Sequence, residues 1–311
     1  MNRVKPTADK LALKDTTFII PLRIESEDRM RNIITTLYYL LDQTKAHIII
    51  KEVDTETVFN DPDGPVITMF RDSFFACGYW ETKIIGEGKT IENGNRITYM
   101  FEQSDDEVFH RTKILNDMLM EVKTPITVNY DCDVIFPLTS YVEAERLVRD
   151  RIYDVVYPYG KGDWQWRVGA QGGYAPATDD IVSSWINADF NLKLLEMFGY
   201  KYDANVGFAQ FFRTEDYIKG GMENEGFIAY GYEDDERSYR FETMGYKVGR
   251  VTDFVYHLEH SRTPNSWFTN PHIDNNKKLW ESLKDLDKEQ LLEYYANVDY
   301  MKSRTEQLVG K

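Results

Sequence analysis

The sequence predicts an α/β protein built on a mostly parallel central sheet flanked by helices. Three observations carry this reading. Thr16-Thr17-Phe18-Ile19-Ile20-Pro21 is a continuous apolar and β-branched run of strand length, the pattern of a buried strand closed by proline. A helical pattern follows almost at once, and His47–Val53 supplies a second strand, so strand, crossover helix and strand come in the order of a βαβ unit. The chain has 311 residues, 42% of them hydrophobic, enough for a sizeable core, and no repeat, low-complexity tract or proline-rich linker divides it. One elaborated domain is therefore expected.

In the first helix Ser26 serves as the cap, Glu27 and Asp28 suit the positive end of the dipole, and Met30, Ile33, Ile34, Leu37 and Leu41 recur at helical spacing. Residues 55–95 are less regular. The stretch from Ile84 to Arg96 carries turn signals suited to hairpins, and the whole segment reads as an insertion. Ile97–Gln103 resumes strand character, and a helix after Arg111 buries Ile114, Leu115, Met118, Leu119 and Val122 on one face. Ile126–Tyr130 is a further strand. Residues 153–180 form a second elaboration, with Trp164, Trp166 and Tyr174 among Gly160, Gly162, Gly169, Gly172 and Gly173; it reads either as a mobile aromatic grip for a sugar or as a packed surface loop. A strand is expected over Lys247–Phe254. After His272, Leu279, Trp280, Leu283 and Leu286, then Leu291, Leu292, Tyr295 and Met301, mark amphipathic helices packed on the rest of the chain, with a peripheral membrane or oligomer contact as the alternative.

Lys plus Arg total 37 against 52 Asp plus Glu, and the net charge of -15 argues against nucleic acid or an anionic membrane surface as the main partner. An anionic ligand then needs a locally positive pocket or a metal. No apolar run approaches the ~18 residues that span a bilayer, and the first seventeen residues hold no apolar stretch of signal-peptide length, so a soluble, cytoplasmic protein is expected. Cys77 and Cys132 are too few for a disulfide framework or a cysteine zinc site. The sequence assigns no oligomeric state.

Three groups of residues carry chemistry. The first is Asp131-Cys132-Asp133. The Asp-x-Asp spacing also occurs at Asp61/Asp63 and Asp285/Asp287, so spacing alone says little. Only Asp131 and Asp133 end an apolar strand and precede another apolar run, Val134-Ile135-Phe136. Ligands of open α/β sheets bind outside the carboxyl ends of strands. Two desolvated carboxylates there need a neutralising cation, and such oxygen ligands suit Mg, Mn or Ca; the pair also reads as a turn-forming and helix-capping feature. The second group is the acidic run Glu233-Asp234-Asp235-Glu236 after Tyr230-Gly231-Tyr232. It reads as a charged first helical turn, or as a general base beside an aromatic lip. The third is Tyr256-His257-Leu258-Glu259-His260, with two of only five histidines. Histidines at i and i+3 converge on one metal if the backbone turns, and imidazole suits Mn, Fe or Zn.

In this order the pieces resemble a GT-A fold glycosyltransferase, and most closely the β-1,4-galactosyltransferase family with its bacterial and viral relatives. The matching segments are Ile19–Arg23, Val108–Asn116, Asp131–Asp133, Phe211–Arg213 through Gly220-Gly221, Tyr230–Asp235 and His260–Arg262. The resemblance implies a GT-A fold over residues 1–272, with insertions at about 55–95 and 153–180, and a helical extension over 273–311. It implies that Pro21, Arg23, Phe109, Arg111, Asp131, Cys132 and Tyr230 hold the donor, that Asp133 and His260 are metal ligands with His257 and Asp131 as further ones, and that Asp234 is the catalytic base with Glu233 beside it. Tyr232, Glu233 and Asp235 would position the acceptor. The implied reaction is an inverting, Mn2+-dependent transfer, with Mg2+ as the alternative ion, from a UDP-sugar to a glycan or glycoconjugate. The loop Ser261–His272 would close over the donor.

The chain departs from the family at Glu25, where the family has a second arginine, and in both insertions. Related GT-A enzymes with a similar acidic segment are retaining, so retention is a further alternative. Two other readings use the same residues: a metal-dependent hydrolase of a nucleotide-sugar or phosphoester, and a sugar-binding protein on a transferase fold.

Overall fold

The computed structural model describes residues 13–59, 83–85, 90–93 and 96–309. Cys77, Asp61, Asp63 and the turns expected at 86–89 and 94–95 lie outside the described residues. The strands are β1 (Thr16–Leu22), β2 (His47–Asp54), β3 (Lys83–Ile85), β4 (Thr90–Asn93), β5 (Ile97–Gln103), β6 (Ile126–Tyr130) and β7 (Val134–Ile135). They continue with β8 (Val155–Tyr157), β9 (Gly162–Val168), β10 (Gly199–Ala204), β11 (Ala209–Arg213), β12 (Val248–Arg250) and β13 (Val255–Leu258). The helices are α1 (Glu27–Gln43), α2 (Arg111–Leu119), α3 (Leu138–Arg149), α4 (Asp179–Asn187) and α5 (Leu192–Met197). After them come α6 (Thr214–Lys219), α7 (Glu233–Met244), α8 (Ile273–Leu283), α9 (Lys288–Asn297) and α10 (Asp299–Val309).

The larger sheet runs β12-β8-β11-β6-β1-β2-β5-β4-β3. Its centre, β6-β1-β2-β5, is parallel, and antiparallel strands extend both flanks. β1 is buried throughout because the sheet is covered on both faces. Phe18, Ile20 and Leu22 belong to one apolar cluster, while Ile19 belongs to a second one with Ile114, Leu115 and Met118 of α2. The strand runs one residue past Pro21: pairing with β6 ends at Ile19, and the residue lacking an N–H is met only by β2. α1 is capped as expected, Ser26 Oγ accepting the Arg29 N–H. Asp28 does more than meet the dipole, since its carboxylate accepts the Ser261 N–H at 2.6 Å and the Ser261 hydroxyl at 2.8 Å.

A second sheet, β10-β9-β13-β7, stands beside the first. It corrects two expectations. Residues 162–168 are a strand rather than a loop, with Trp164 and Trp166 packed against Phe254. Of the strand expected over Lys247–Phe254 only Val248–Arg250 is extended into a sheet, and the next strand begins at Val255 in the other sheet. β12 pairs with β8, and the chain then turns at Asp253, whose carboxylate takes the Phe254 N–H and the Ser140 hydroxyl, before entering β13 between β9 and β7. His257 is therefore a strand residue, and its side-chain direction is set by the pleat.

The C-terminal helices pack on the segment 220–240. Asn276 takes the Ile228 N–H at 3.0 Å and donates to its carbonyl at 2.9 Å, Tyr295 donates to Glu236 at 2.5 Å, and Arg304 bridges Asp117 and Glu225. Leu283, Leu291 and Tyr295 are buried, whereas Leu292 faces solvent, one position off the buried stripe of α9.

Phe18 meets Tyr130, Tyr141 and Phe211 edge-on at 5.1, 5.9 and 6.0 Å. Phe18→Ala opens a cavity at the centre of the parallel strands and is expected to cost about 3–5 kcal/mol of unfolding free energy, measured by urea titration; a loss below about 1 kcal/mol would contradict this placement.

Candidate active site

β6 belongs to the larger sheet and β7 to the smaller, so Asp131-Cys132-Asp133 is the link by which the chain passes from one to the other. The Asp131 N–H donates to the Phe208 carbonyl at 2.9 Å and the Asp133 carbonyl accepts the Leu258 N–H at 2.8 Å, fixing both ends of the link. β13 and the turn after it bring two histidines to Asp133. His260 Nε2 lies 3.0 Å from one Asp133 oxygen and His257 Nε2 3.8 Å from the other. One donor atom from each of the three residues falls within 4.8 Å of the others, and all three residues are buried.

The far side of each ring decides what the near side offers. His260 Nδ1 is 2.8 Å from the Ser261 carbonyl, which only accepts, so Nδ1 carries a proton. His257 Nδ1 donates to Glu259 at 2.7 Å, and Arg167 grips the same carboxylate through two bonds of 2.6 Å. In each neutral ring Nε2 then turns a lone pair toward a buried carboxylate. That point demands positive charge, supplied by protons on the imidazoles or by a divalent cation. Burial pushes the Asp133 carboxyl up, but His257 and His260 outweigh it and hold it well below the ordinary range. A carboxylate with two imidazoles fits Mn, Fe or Zn, and three protein donors leave coordination positions for substrate oxygens.

The site forms the floor of a cleft of about 620 Å³. Pro21, Arg23, Phe109, Arg111, Asp131, Cys132, Tyr230, Glu233 and Asp234 all line it, together with Asp133, His257 and His260. Tyr232 and Asp235 do not. Tyr232 takes the left-handed conformation that starts α7, and Asp235 turns outward on its first turn. Asp131, anticipated as a further metal ligand, is not in the three-residue cluster; its carboxylate is held by Arg111 at 2.6 Å. Burial lowers the Arg111 guanidinium, but Asp131, Asp234 and Glu233 outweigh this and keep it charged. Its Nη1 lies 3.9 Å from Glu233 and 4.0 Å from Asp234 and has no hydrogen bond.

Asp234 Oδ1 is held by Arg237, which also pairs with buried Glu223 at 2.6 Å. Oδ2 turns toward Gly207, where a Cβ would come within 2.7 Å of it. With φ at +103°, that position needs glycine both for its backbone and for the approach. Glu233 accepts the Gly231 N–H at 2.7 Å, and burial, with Asp234 next to it, pushes its carboxyl up to about 7. Arg23 is committed to the carbonyls of Val53 and Glu107, at 2.9 and 3.0 Å, with its guanidinium 5.5 Å from the Phe109 ring centre. Burial keeps the Cys132 thiol protonated.

Several cleft residues escaped sequence reasoning. Glu25 anchors the loop after β13, accepting from Thr263 at 2.7 Å and Asn265 at 2.8 Å, and Asn265 in turn takes the Phe109 N–H at 2.9 Å. Arg29, Arg167 and Arg262 join Arg23 and Arg111 on the cleft wall, so five arginines face one cavity of an acidic protein. A signal existed only for Glu259, an acid between two histidines.

Glu233 gives a pH test. The folded chain keeps this proton to about pH 7, whereas an unfolded glutamate loses it near 4.5, so stability falls as pH rises between these values. Glu233→Gln removes that dependence. Urea unfolding in chelator is expected to show the variant gaining on the wild type across this window and levelling off above it; a pH-independent difference would contradict the assignment.

No family model matches the sequence, and no curated protein matches it. Among solved structures, the mannosyltransferase PcManGT from Pyrobaculum calidifontis, in complex with GDP-Man and Mn2+, superposes with a TM-score of 0.50 at 13% identity, over 95% of this chain and 74% of that one. The catalytic domain of Drosophila β1,4-galactosyltransferase 7, in complex with xylobiose, gives a TM-score of 0.41 at 14% identity, over 87% and 81%. The chain has the GT-A glycosyltransferase fold, a mixed α/β architecture around a central, mostly parallel sheet.

Proposed function

We propose that this protein is a metal-dependent glycosyltransferase that moves a hexose or N-acetylhexosamine from a UDP-sugar to a hydroxyl of a glycan or other acceptor, with inversion. The observation that carries the reading is the convergence of Asp133, His257 and His260 on the floor of an arginine-walled cleft at the carboxyl end of β6. Asp133, His257 and His260 would hold Mn2+, which would supply positive charge for a leaving diphosphate; two imidazoles among three donors disfavour Mg2+.

The chain's own residues account for the rest. Pro21, Arg23 and Phe109 lie together on one wall, the side for the nucleoside. Arg111 stands at the start of α2, where a guanidinium and free backbone amides serve a diphosphate together. Asp131 keeps Arg111 turned into the cleft. Asp234 is the general base: Arg237 fixes Oδ1 and leaves Oδ2 on the cleft side to take the acceptor proton. Glu233, its carboxyl pushed up by burial and by Asp234, stands beside the base and positions the acceptor hydroxyl. The loop 261–272, tied to Glu25 and Phe109, covers the donor and excludes water.

Nucleoside diphosphate release from a panel of UDP-sugars, with GDP-sugars included because the mannosyltransferase neighbour holds GDP-Man, tests the reading. Release is expected with one or two donors only, dependent on Mn2+, abolished by chelator and by Asp133→Ala. Equal rates with and without chelator would refute the metal. Asp234→Asn is expected to lower turnover by about 10²–10⁴-fold while donor affinity measured by calorimetry stays close to wild type. Turnover unchanged in Asp234→Asn would remove it as the base, and a rate indifferent to any acceptor would favour hydrolysis.

A further inference from the structure

The smaller sheet carries aromatic chemistry that the transfer step does not use. Its register places His257 of β13 beside Arg167 of β9, and Arg167 beside Tyr200 of β10. Gln165 of β9 pairs likewise with Tyr202. Residues in register on adjacent strands share a face, so the face that presents His257 continues outward through Gln165 and Arg167 to two tyrosines. At about 4.8 Å per strand, Tyr200 stands roughly 10 Å from the His257 position. The Arg167 guanidinium lies 5.1 Å from the Tyr202 ring centre and 5.8 Å from that of Tyr200. Tyr174 stacks on the far side, its ring 4.5 Å from Tyr200 and within 10° of parallel.

These rings are not core. Tyr174 is 77% exposed and Tyr202 50% exposed, while Tyr202, Gln165 and Arg167 form part of the cleft wall itself. The backbone is shaped to hold Tyr174 there: Gln171, Gly172 and Gly173 all have positive φ, and a Cβ on Gly173 would sit 2.2 Å from the Arg167 carbonyl. Tyr174 stacks on Tyr200 and Tyr202 stands edge-on to that same ring at 88°, so two exposed rings flank a half-buried one. Two exposed rings with amide and guanidinium groups beside them match a pyranose chain, whose sugars offer an apolar C–H face and a rim of hydroxyls. Tyrosine gives such contact area at little conformational cost, with a phenol to bond the rim.

We propose that Tyr202 and Tyr174, with Tyr200 backing the Tyr174 ring, form a glycan track leading out of the cleft, which holds the sugars of an oligosaccharide acceptor behind the one that reacts. This rests on the transferase reading and adds to it that the acceptor is an extended glycan rather than a monosaccharide or small alcohol. A printed panel of oligosaccharides from mono- to hexasaccharide, probed with the wild type, Tyr174→Ala/Tyr200→Ala and Tyr174→Phe/Tyr200→Phe, tests it. Expected are wild-type binding that rises with chain length, a loss of about tenfold or more on the longer chains in the alanine pair, and retention in the phenylalanine pair. Donor consumption in the absence of acceptor should stay unchanged in both. No glycan bound, affinity independent of length, or an alanine pair that binds as the wild type would each overturn the proposal. A wild type that binds long chains yet consumes no nucleotide-sugar would leave the track standing and defeat the transferase reading instead.

Discussion

Asp133 is a carboxylate only 6% exposed, placed where the two sheets meet and faced by two imidazole nitrogens. An isolated charge in such a place is costly, so its surroundings must supply positive charge. Most of the local architecture serves that requirement. β6 delivers the residue, the Leu258 N–H pins its carbonyl, the pleat of β13 aims His257, and the turn after it aims His260. Behind the rings, Glu259 and the Ser261 carbonyl hold the Nδ1 protons, and Arg167 holds Glu259. Asp28 at the head of α1 ties down Ser261, whose carbonyl takes the His260 Nδ1 proton, so the first helix supports the orientation of His260.

The same logic governs the charge distribution. A chain with a net charge of -15 repels an anionic substrate at long range, yet five of its arginines face one cleft. Each is oriented by an acid or a carbonyl: Arg111 by Asp131, Arg167 and Arg262 by Glu259, Arg23 by Val53 and Glu107, Arg29 by Glu25 at 3.6 Å. The acids near the cleft thus hold guanidinium groups in place. Asp234 gives one oxygen to Arg237, while the other turns toward Gly207 of the cleft wall.

What the sequence displayed was whatever depends on local pattern. β1, α1, β2 and β6 announce themselves because both faces of the parallel sheet are covered and the apolar runs are continuous. Asp131 and Asp133 stood out from Asp285/Asp287 by their apolar flanks, and Asp287 proves to be the cap of α9. The second sheet was hidden because its strands obey a different rule. β9 and β10 alternate aromatic, charged and glycine residues on half-exposed faces, which from sequence alone reads as loop. The break between β12 and β13 is held by Asp253, which accepts from the distant Ser140 as well as from the Phe254 N–H, and no local pattern carries the first of these. Tyr232 and Asp235 share a motif with Glu233 and Asp234 but leave the cleft, because a left-handed N-cap followed by helical rotation turns neighbours in sequence to different sides. Arg29, Arg167 and Glu25 reach the site only through tertiary placement.

The proposed chemistry requires a divalent cation among Asp133, His257 and His260. Titration of Mn2+ into the purified protein with UDP present, followed by electron paramagnetic resonance, tests it most directly. One bound ion per chain with nitrogen couplings from imidazole, lost in Asp133→Ala and weakened in His257→Ala and His260→Ala, is the predicted result. Absence of bound ion, or binding untouched by Asp133→Ala, would contradict the site and the chemistry assigned to it.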